Sequence, residues 1–257
     1  MNFTEAQIQA QVASFIWPLM RIGAMFIAVP IFSIKAVPGR VRLILSVAIT
    51  FVVMPLLPTF QMIDMFSYAG LMVAITQVVI GLSTGFIVEL VFSAVVFAGS
   101  SVALSMGLGF ASMVDPQNGQ QVPVIAQIYV ISGTLIFLGL DGHLLLIKML
   151  LDSFISLPIG IDGITKTDIW AIIAWSSRMF AGGLLLAMPI VISLLLVNIS
   201  FGVAARAAPQ LNIFSVGFPA TLMLGIILIW LTLPDTLDQF TGLLTGAYDL
   251  IGQLLKL

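Results

Sequence analysis

This chain has one histidine and no cysteine, and those two counts remove most of the enzymatic chemistry open to it. Any relay of serine, histidine and aspartate would have to run through His143. No histidine-based metal cluster can be built, and disulfides and thiolate sites are excluded. His143 lies in Asp141-Gly142-His143, where Asp-Gly is a turn signal, so it reads as a polar residue at a helix turn or interface. Gly107 and Gly109 have the spacing that opens a phosphate loop. They follow no strand and no lysine stands behind them, as such a loop requires. No catalytic group, cofactor or metal site is expected.

Charges inside apolar runs carry more information. A charged side chain at the centre of a bilayer costs about 3 kcal/mol or more. Arg21 and Glu89 are the clearest cases. One reading is a proton or ion relay; the other is a structural pair or a contact between subunits. One glutamate and one arginine, with no ladder of Asp, Glu and His beside them, make a poor proton path, so the structural reading is preferred.

The stretch 99–113 concentrates glycine, alanine and serine, which let membrane helices approach closely. Within it stand Met106, Phe110 and Met113; methionine is flexible and suits surfaces that must repack. The chain then enters Asp115-Pro116-Gln117-Asn118-Gly119-Gln120-Gln121, which cannot face lipid. Irregular backbone at membrane depth is tolerated only inside protein or beside a watery cavity. A segment that lines or closes a pore therefore competes here with an ordinary surface loop. A second polar interruption, Arg206 followed by Pro209, Gln210 and Asn212, reads as the tip of a helical hairpin. There Arg206 meets the unpaired carbonyls of a helix end and Pro209 prevents the helix from continuing.

The elements that must position these residues are helices in an apolar setting. Of 257 residues, 60% are hydrophobic and 8% charged, with a mean hydropathy of +1.20. A soluble domain carries about 25% charged residues, so most of this surface must face lipid or other subunits. Crossing a hydrocarbon core of about 30 Å takes about 20 helical residues. Charge-free windows of that size run over 43–63, 65–88, 90–114, 116–140, 179–205 and 207–234; a further run, 12–32, is apolar apart from Arg21. Lipid offers no partner for an open strand, so the expected fold is all-α, a polytopic membrane protein of six to eight bent hydrophobic helices. Whether 67–104 is one long helix or two stays open, as it does for 122–157. Pro18, Pro30, Pro55, Pro189 and Pro219 lie in or beside the helices and each removes a backbone hydrogen bond.

The N-terminal stretch has no positive charge and no small-residue cleavage site, so it does not read as a cleaved signal peptide. The net charge of −2 comes with scattered lysines and arginines, which disfavours nucleic acid as a partner. Lys35, Arg40 and Arg42 in one loop and Arg206 in another place both loops in the cytoplasm by the positive-inside rule, leaving both termini outside. Residues 158–168 divide a larger helical half, 1–157, from a hairpin and tail, 158–257.

Asn198, Gly202, Arg206, Pro209-Gln210-Leu211-Asn212, Phe214 and Gly217-Phe218-Pro219 together resemble the signature of the FliR family of type III secretion export-gate proteins. Asp115-Pro116-Gln117, Pro123, Gln127, Asp141-Gly142-His143, Ser153-Phe154 and Pro158 extend the resemblance over most of the chain. Injectisome counterparts keep Pro-Gln-Leu-Asn but differ around Gly217-Phe218-Pro219, which favours the flagellar branch. The resemblance implies a non-enzymatic subunit in the inner membrane at the flagellar basal body. It would assemble with FliP and FliQ and other export-apparatus proteins, and pass unfolded proteins. It implies an N-terminal part similar to FliP and a C-terminal hairpin similar to FliQ, in a complex sitting largely above the membrane plane. It also implies that a loop of this subunit plugs the channel, which by position is 106–122, with Met106, Gly107, Gly109, Phe110, Met113, Asp115, Pro116 and Gln117 as plug residues. The alternative from another class is a secondary transporter of a small solute. That would show paired halves and ionisable residues converging on a midplane site.

Overall fold

The computed structural model describes residues 5–33, 37–58, 63–108, 123–207 and 213–257. Among them there is no strand. The chain is an all-α polytopic membrane protein, and its helices are α1 (Glu5–Ala28), α2 (Pro30–Ser33), α3 (Gly39–Val53), α4 (Tyr68–Ser105), α5 (Val124–Gly139), α6 (Gly142–Ser156), α7 (Lys166–Ala207) and α8 (Ile213–Leu255). A 3-10 turn, Met54–Leu56, extends α3. Five helices are long and apolar enough to cross a membrane, or six if α5 and α6 count as one span bent by 61°.

The two open questions of the sequence resolve in opposite ways. Residues 65–88 and 90–114 are not separate spans, because α4 runs unbroken for 38 residues through the half-buried Glu89. The 122–157 stretch does break. Asp141 takes a left-handed conformation (φ 54°), which Asp adopts more readily than most residues, and its carbonyl then accepts the first N–H groups of α6. The last helix is also longer than the apolar run suggests. It continues through Pro234, Asp235 and Asp238 to Leu255.

Hydroxyl groups in the helices satisfy themselves locally. Ser46, Thr50, Thr84, Ser101, Ser105, Thr134, Ser193, Ser200, Thr232, Thr236 and Thr241 each donate to the carbonyl four residues back. A hydroxyl in lipid has no water to turn to, and this geometry removes the penalty.

The helices form two compact units, each discontinuous in sequence. The first comprises residues 1–90, 140–175 and 244–257. Its helix contacts depend on small residues. Gly81 and Gly85 are one turn apart on α4 and lie against α1: a Cβ at 81 would collide with the Arg21 carbonyl, and one at 85 would stand 2.6 Å from the Ala28 Cβ. This is a Gly-x-x-x-Gly contact, which lets two backbones touch. The buried side chains of this unit include Trp17, Met25, Phe26, Ile80, Ile87, Leu146 and Phe154. Tyr248 on α8 donates to the Gly142 carbonyl at 2.8 Å.

The second unit comprises residues 91–139 and 176–243. Phe92 stands edge-on to Phe137 at 5.9 Å and to Phe240 at 5.8 Å, joining α4, α5 and α8 in one aromatic core. Gly99 meets the Ala126 backbone and Gly183 meets the Ala94 carbonyl, again where a Cβ would not fit.

Large apolar side chains also point outward. Phe51 and Val52 on α3, Leu195 and Leu196 on α7, and Met223 and Trp230 on α8 are all more than half exposed. Exposed apolar surface on this scale marks a lipid or partner face.

Candidate functional site

The end of α4 is the described part of the predicted plug. Gly107 has φ +82°, a conformation that only glycine adopts without strain. Its N–H donates to the Leu104 carbonyl, and the Leu108 N–H reaches back five residues to Ala103, both at 3.0 Å. Those two bonds make a Schellman cap, which satisfies carbonyls that the helix end would otherwise leave bare. Gly107 thus ends α4. Met106 is fully buried, and its thioether fills the space above Gly225 on α8. The Thr221 hydroxyl lies 3.0 Å from the Phe218 carbonyl and 3.4 Å from that of Met106. The remaining expected plug residues, Gly109, Phe110, Met113, Asp115, Pro116 and Gln117, lie outside the described residues.

Arg206 is exposed in the last turn of α7, where its charge faces the negative end of the helix dipole. The other expected tip residues, Pro209, Gln210 and Asn212, lie outside the described residues.

Arg21 is fully buried, and the groups that hold it are neutral. Its Nε donates to Gln77 Oε1 at 2.8 Å. Nη1 donates to the carbonyl and the hydroxyl of Ser153, both at 3.0 Å, and Nη2 donates to the Leu157 carbonyl at 2.9 Å. The Phe154 ring lies 4.3 Å from the guanidinium carbon, within cation–π range. The planar fork of an arginine suits this task because it can reach several acceptors at once. It ties α1 to α4 and to the C-terminal end of α6, where unpaired carbonyls favour a cation. The arrangement is a structural clamp. Gln77, Ser153, Phe154 and Leu157 were not readable as a group from the sequence, since they lie 56 to 136 residues from Arg21. Glu89 is half-buried within α4.

His143 is also half-buried, and its Nδ1 is enclosed without a hydrogen-bond partner. Among the described residues no group of three or more His, Cys, Asp or Glu side chains could hold a metal ion.

Comparison with known proteins fits this pattern of apolar helices. A family model described as bacterial export proteins, family 1, matches residues 12–247. The chain is 39% identical over 255 residues to the flagellar biosynthetic protein FliR of Pectobacterium carotovorum, covering 99% of this chain and 97% of that one. It is 37% identical over 256 residues to the protein of the same name from Escherichia coli, covering 100% and 98%. Similarity extends to the FliR protein of Bacillus subtilis, at 30% over 222 residues and 84% of each chain. The chain belongs to the bacterial export protein family 1, the family of the flagellar biosynthetic FliR proteins.

Proposed function

We propose that this protein is a non-enzymatic subunit of the flagellar protein-export gate in the bacterial inner membrane. In this reading it assembles with FliP and FliQ subunits around a channel that passes unfolded flagellar proteins. The observation that carries the reading is the full-length similarity to flagellar FliR proteins, aligned over 99% of the chain. Two features of the molecule support assembly with other subunits. The outward faces of α3, α7 and α8 are apolar, and α7 and α8, at 42 and 43 residues, are each about 63 Å long at about 1.5 Å per residue. That is about twice a hydrocarbon core, which agrees with a complex that extends above the membrane plane. A solute transporter is the weaker reading, because its clearest buried charge, Arg21, is held by neutral groups rather than aimed at a midplane site. We also retain the division into a FliP-like part, 1–157, and a FliQ-like part, 158–257, as part of this proposal.

Within this function, residues 106–122 act as the plug, with Met106, Phe110 and Met113 as its apolar contacts. A closed channel must stop ions, yet its seal must yield to a passing chain. Weak apolar contacts meet both demands, since each methylene withdrawn from water contributes only about 0.8 kcal/mol. The test is to delete 107–119 and measure both assembly and membrane leakage. The proposal expects assembled complexes and increased passage of ions or small solutes. Assembled complexes in a membrane that stays tight would sink the plug assignment.

A further inference from the structure

The contact between Met106 and Gly225 has a geometry that few residue pairs can reproduce. A Cβ at 225 would stand 2.6 Å from the Met106 Cε, 2.7 Å from its Cγ and 2.8 Å from its sulfur. The whole thioether therefore occupies the hole that a glycine leaves on α8, and any other residue type there would displace it. Two more turns of α8 grip the same place. The Thr221 hydroxyl lies within reach of the Met106 carbonyl, and the Phe218 ring stands where it would be 3.2 Å from a Cβ at Gly107. Met106 is fully buried and Thr221 nearly so. Withdrawing the thioether would leave a dry hole and bare two helix surfaces, and cavities of that kind are costly. The Schellman cap adds a further constraint, because it fixes the direction in which the chain leaves α4.

We propose that Met106 and Gly225 form a fixed joint between the end of α4 and α8, with Gly225 as the positioning residue, and that this joint stays closed while substrate passes. This rests on the reading of the chain as an export-channel subunit. It divides the plug proposal at a definite place: Met106 is the stationary root, and the adaptable seal must lie beyond it.

The absence of cysteine from the chain makes the joint directly testable, because Met106→Cys with Gly225→Cys introduces the only thiol pair. The pair is compensated in size, adding a small side chain at 225 and removing the thioether it would meet. Bonded cysteines hold their Cβ atoms about 3.8 Å apart. The Cβ position at 225 is already 2.7 Å from the Met106 Cγ, one bond from its Cβ. An oxidant added to cells should join the two cysteines in the assembled complex, detected by loss of thiol labelling. Oxidised and reduced cells should then export flagellar proteins at the same rate. A disulfide that halts export, with recovery on reduction, would show that the joint opens; this overturns the proposal and leaves the export reading standing. Failure of the disulfide to form in assembled complexes would refute the contact itself. A second variant tests the joint without any export assay. Gly225→Leu alone should lower the amount of assembled protein about tenfold by overpacking. Adding Met106→Ala should restore it to within about twofold, and no restoration overturns the joint. If instead the export reading is at fault, cells lacking the chain will export normally whatever the crosslink shows.

Discussion

Replacing Arg21 by methionine tests the clamp most severely, because methionine keeps much of the volume and removes every donor. The consequences can be followed acceptor by acceptor. The Ser153 carbonyl still accepts the Leu157 N–H at 2.9 Å, and the Ser153 hydroxyl still donates to the Leu150 carbonyl. Gln77 Oε1 and the Leu157 carbonyl lose the partner that Arg21 supplies. Each buried acceptor left bare costs about 1–3 kcal/mol, and loss of the contact with the Phe154 ring adds about 0.5–2 kcal/mol. Relief of the desolvated charge offsets part of this, leaving a net destabilisation of about 2–4 kcal/mol. For a chain of this size, 1 kcal/mol moves the melting temperature by about 2–4 °C, so the substitution should lower Tm by about 5–15 °C. The assay is thermal unfolding in detergent of the protein purified with its partner subunits. Adding Gln77→Leu removes one bare acceptor together with an amide nitrogen, Gln77 Nε2, that already lacks a partner. The double variant should therefore recover about 1 kcal/mol or more relative to Arg21→Met. Arg21→Lys should not rescue, since one ammonium cannot span acceptors on two helices. A methionine variant melting within 2 °C of the parent (about 1 kcal/mol or less), or a double variant with strictly additive losses, would refute the clamp.

Three further outcomes are expected. Gly107→Val forces a branched side chain into the left-handed region and crowds Phe218, so it should cost about 1–3 kcal/mol, read as a lower Tm in the same assay. Gly85→Val separates α4 from α1, because its side chain would strike Ala28 and the Met25 carbonyl; the folded yield from membranes should fall about tenfold, and a normal yield would contradict the close crossing. Arg206→Ala removes an exposed charge worth only about 0.3–1 kcal/mol to its helix, so flagellar protein secretion should fall while the amount of assembled complex stays within about twofold; unchanged secretion would remove the role of the hairpin tip.

The class of the fold was legible because apolar windows of 20 residues leave only helices as a solution. Their boundaries were less so, for identifiable reasons. Glu89 marked an end that the backbone does not have, since a helix satisfies its own hydrogen bonds whether or not one side chain is charged. Pro234 and the aspartates after it suggested a stop, yet a proline removes a single N–H and the helix continues past it. Asp141-Gly142, by contrast, carried a turn signal at the place where 122–157 does break, a question the sequence left open, because the left-handed turn is a local property of two residues. Arg21 could be recognised as a buried charge from its neighbours in sequence. Its partners could not, as they come from α4 and α6 and meet only in the tertiary fold. Gly81, Gly85 and Gly225 were hidden in the same way: a glycine in an apolar run gives no sign of which side chain will occupy the space it leaves.

The distance in sequence between Arg21 and the Leu157 carbonyl, 136 residues, sets a clock on biogenesis. A ribosome adds about 5–20 residues per second, so about 7–27 s separate the synthesis of the cation from that of its last acceptor. Throughout that interval α1 carries a guanidinium whose native site is incomplete, since Gln77 is the one hydrogen-bond acceptor made before Ser153 and Leu157. Such a helix is not at rest in hydrocarbon. It must wait at the membrane surface, where the long side chain can reach water, or against an insertion factor that supplies carbonyl groups. Helix α1 is thus made well before the last of its acceptors, and slowing translation between Arg21 and Leu157 should lengthen the period in which it is exposed to membrane proteases.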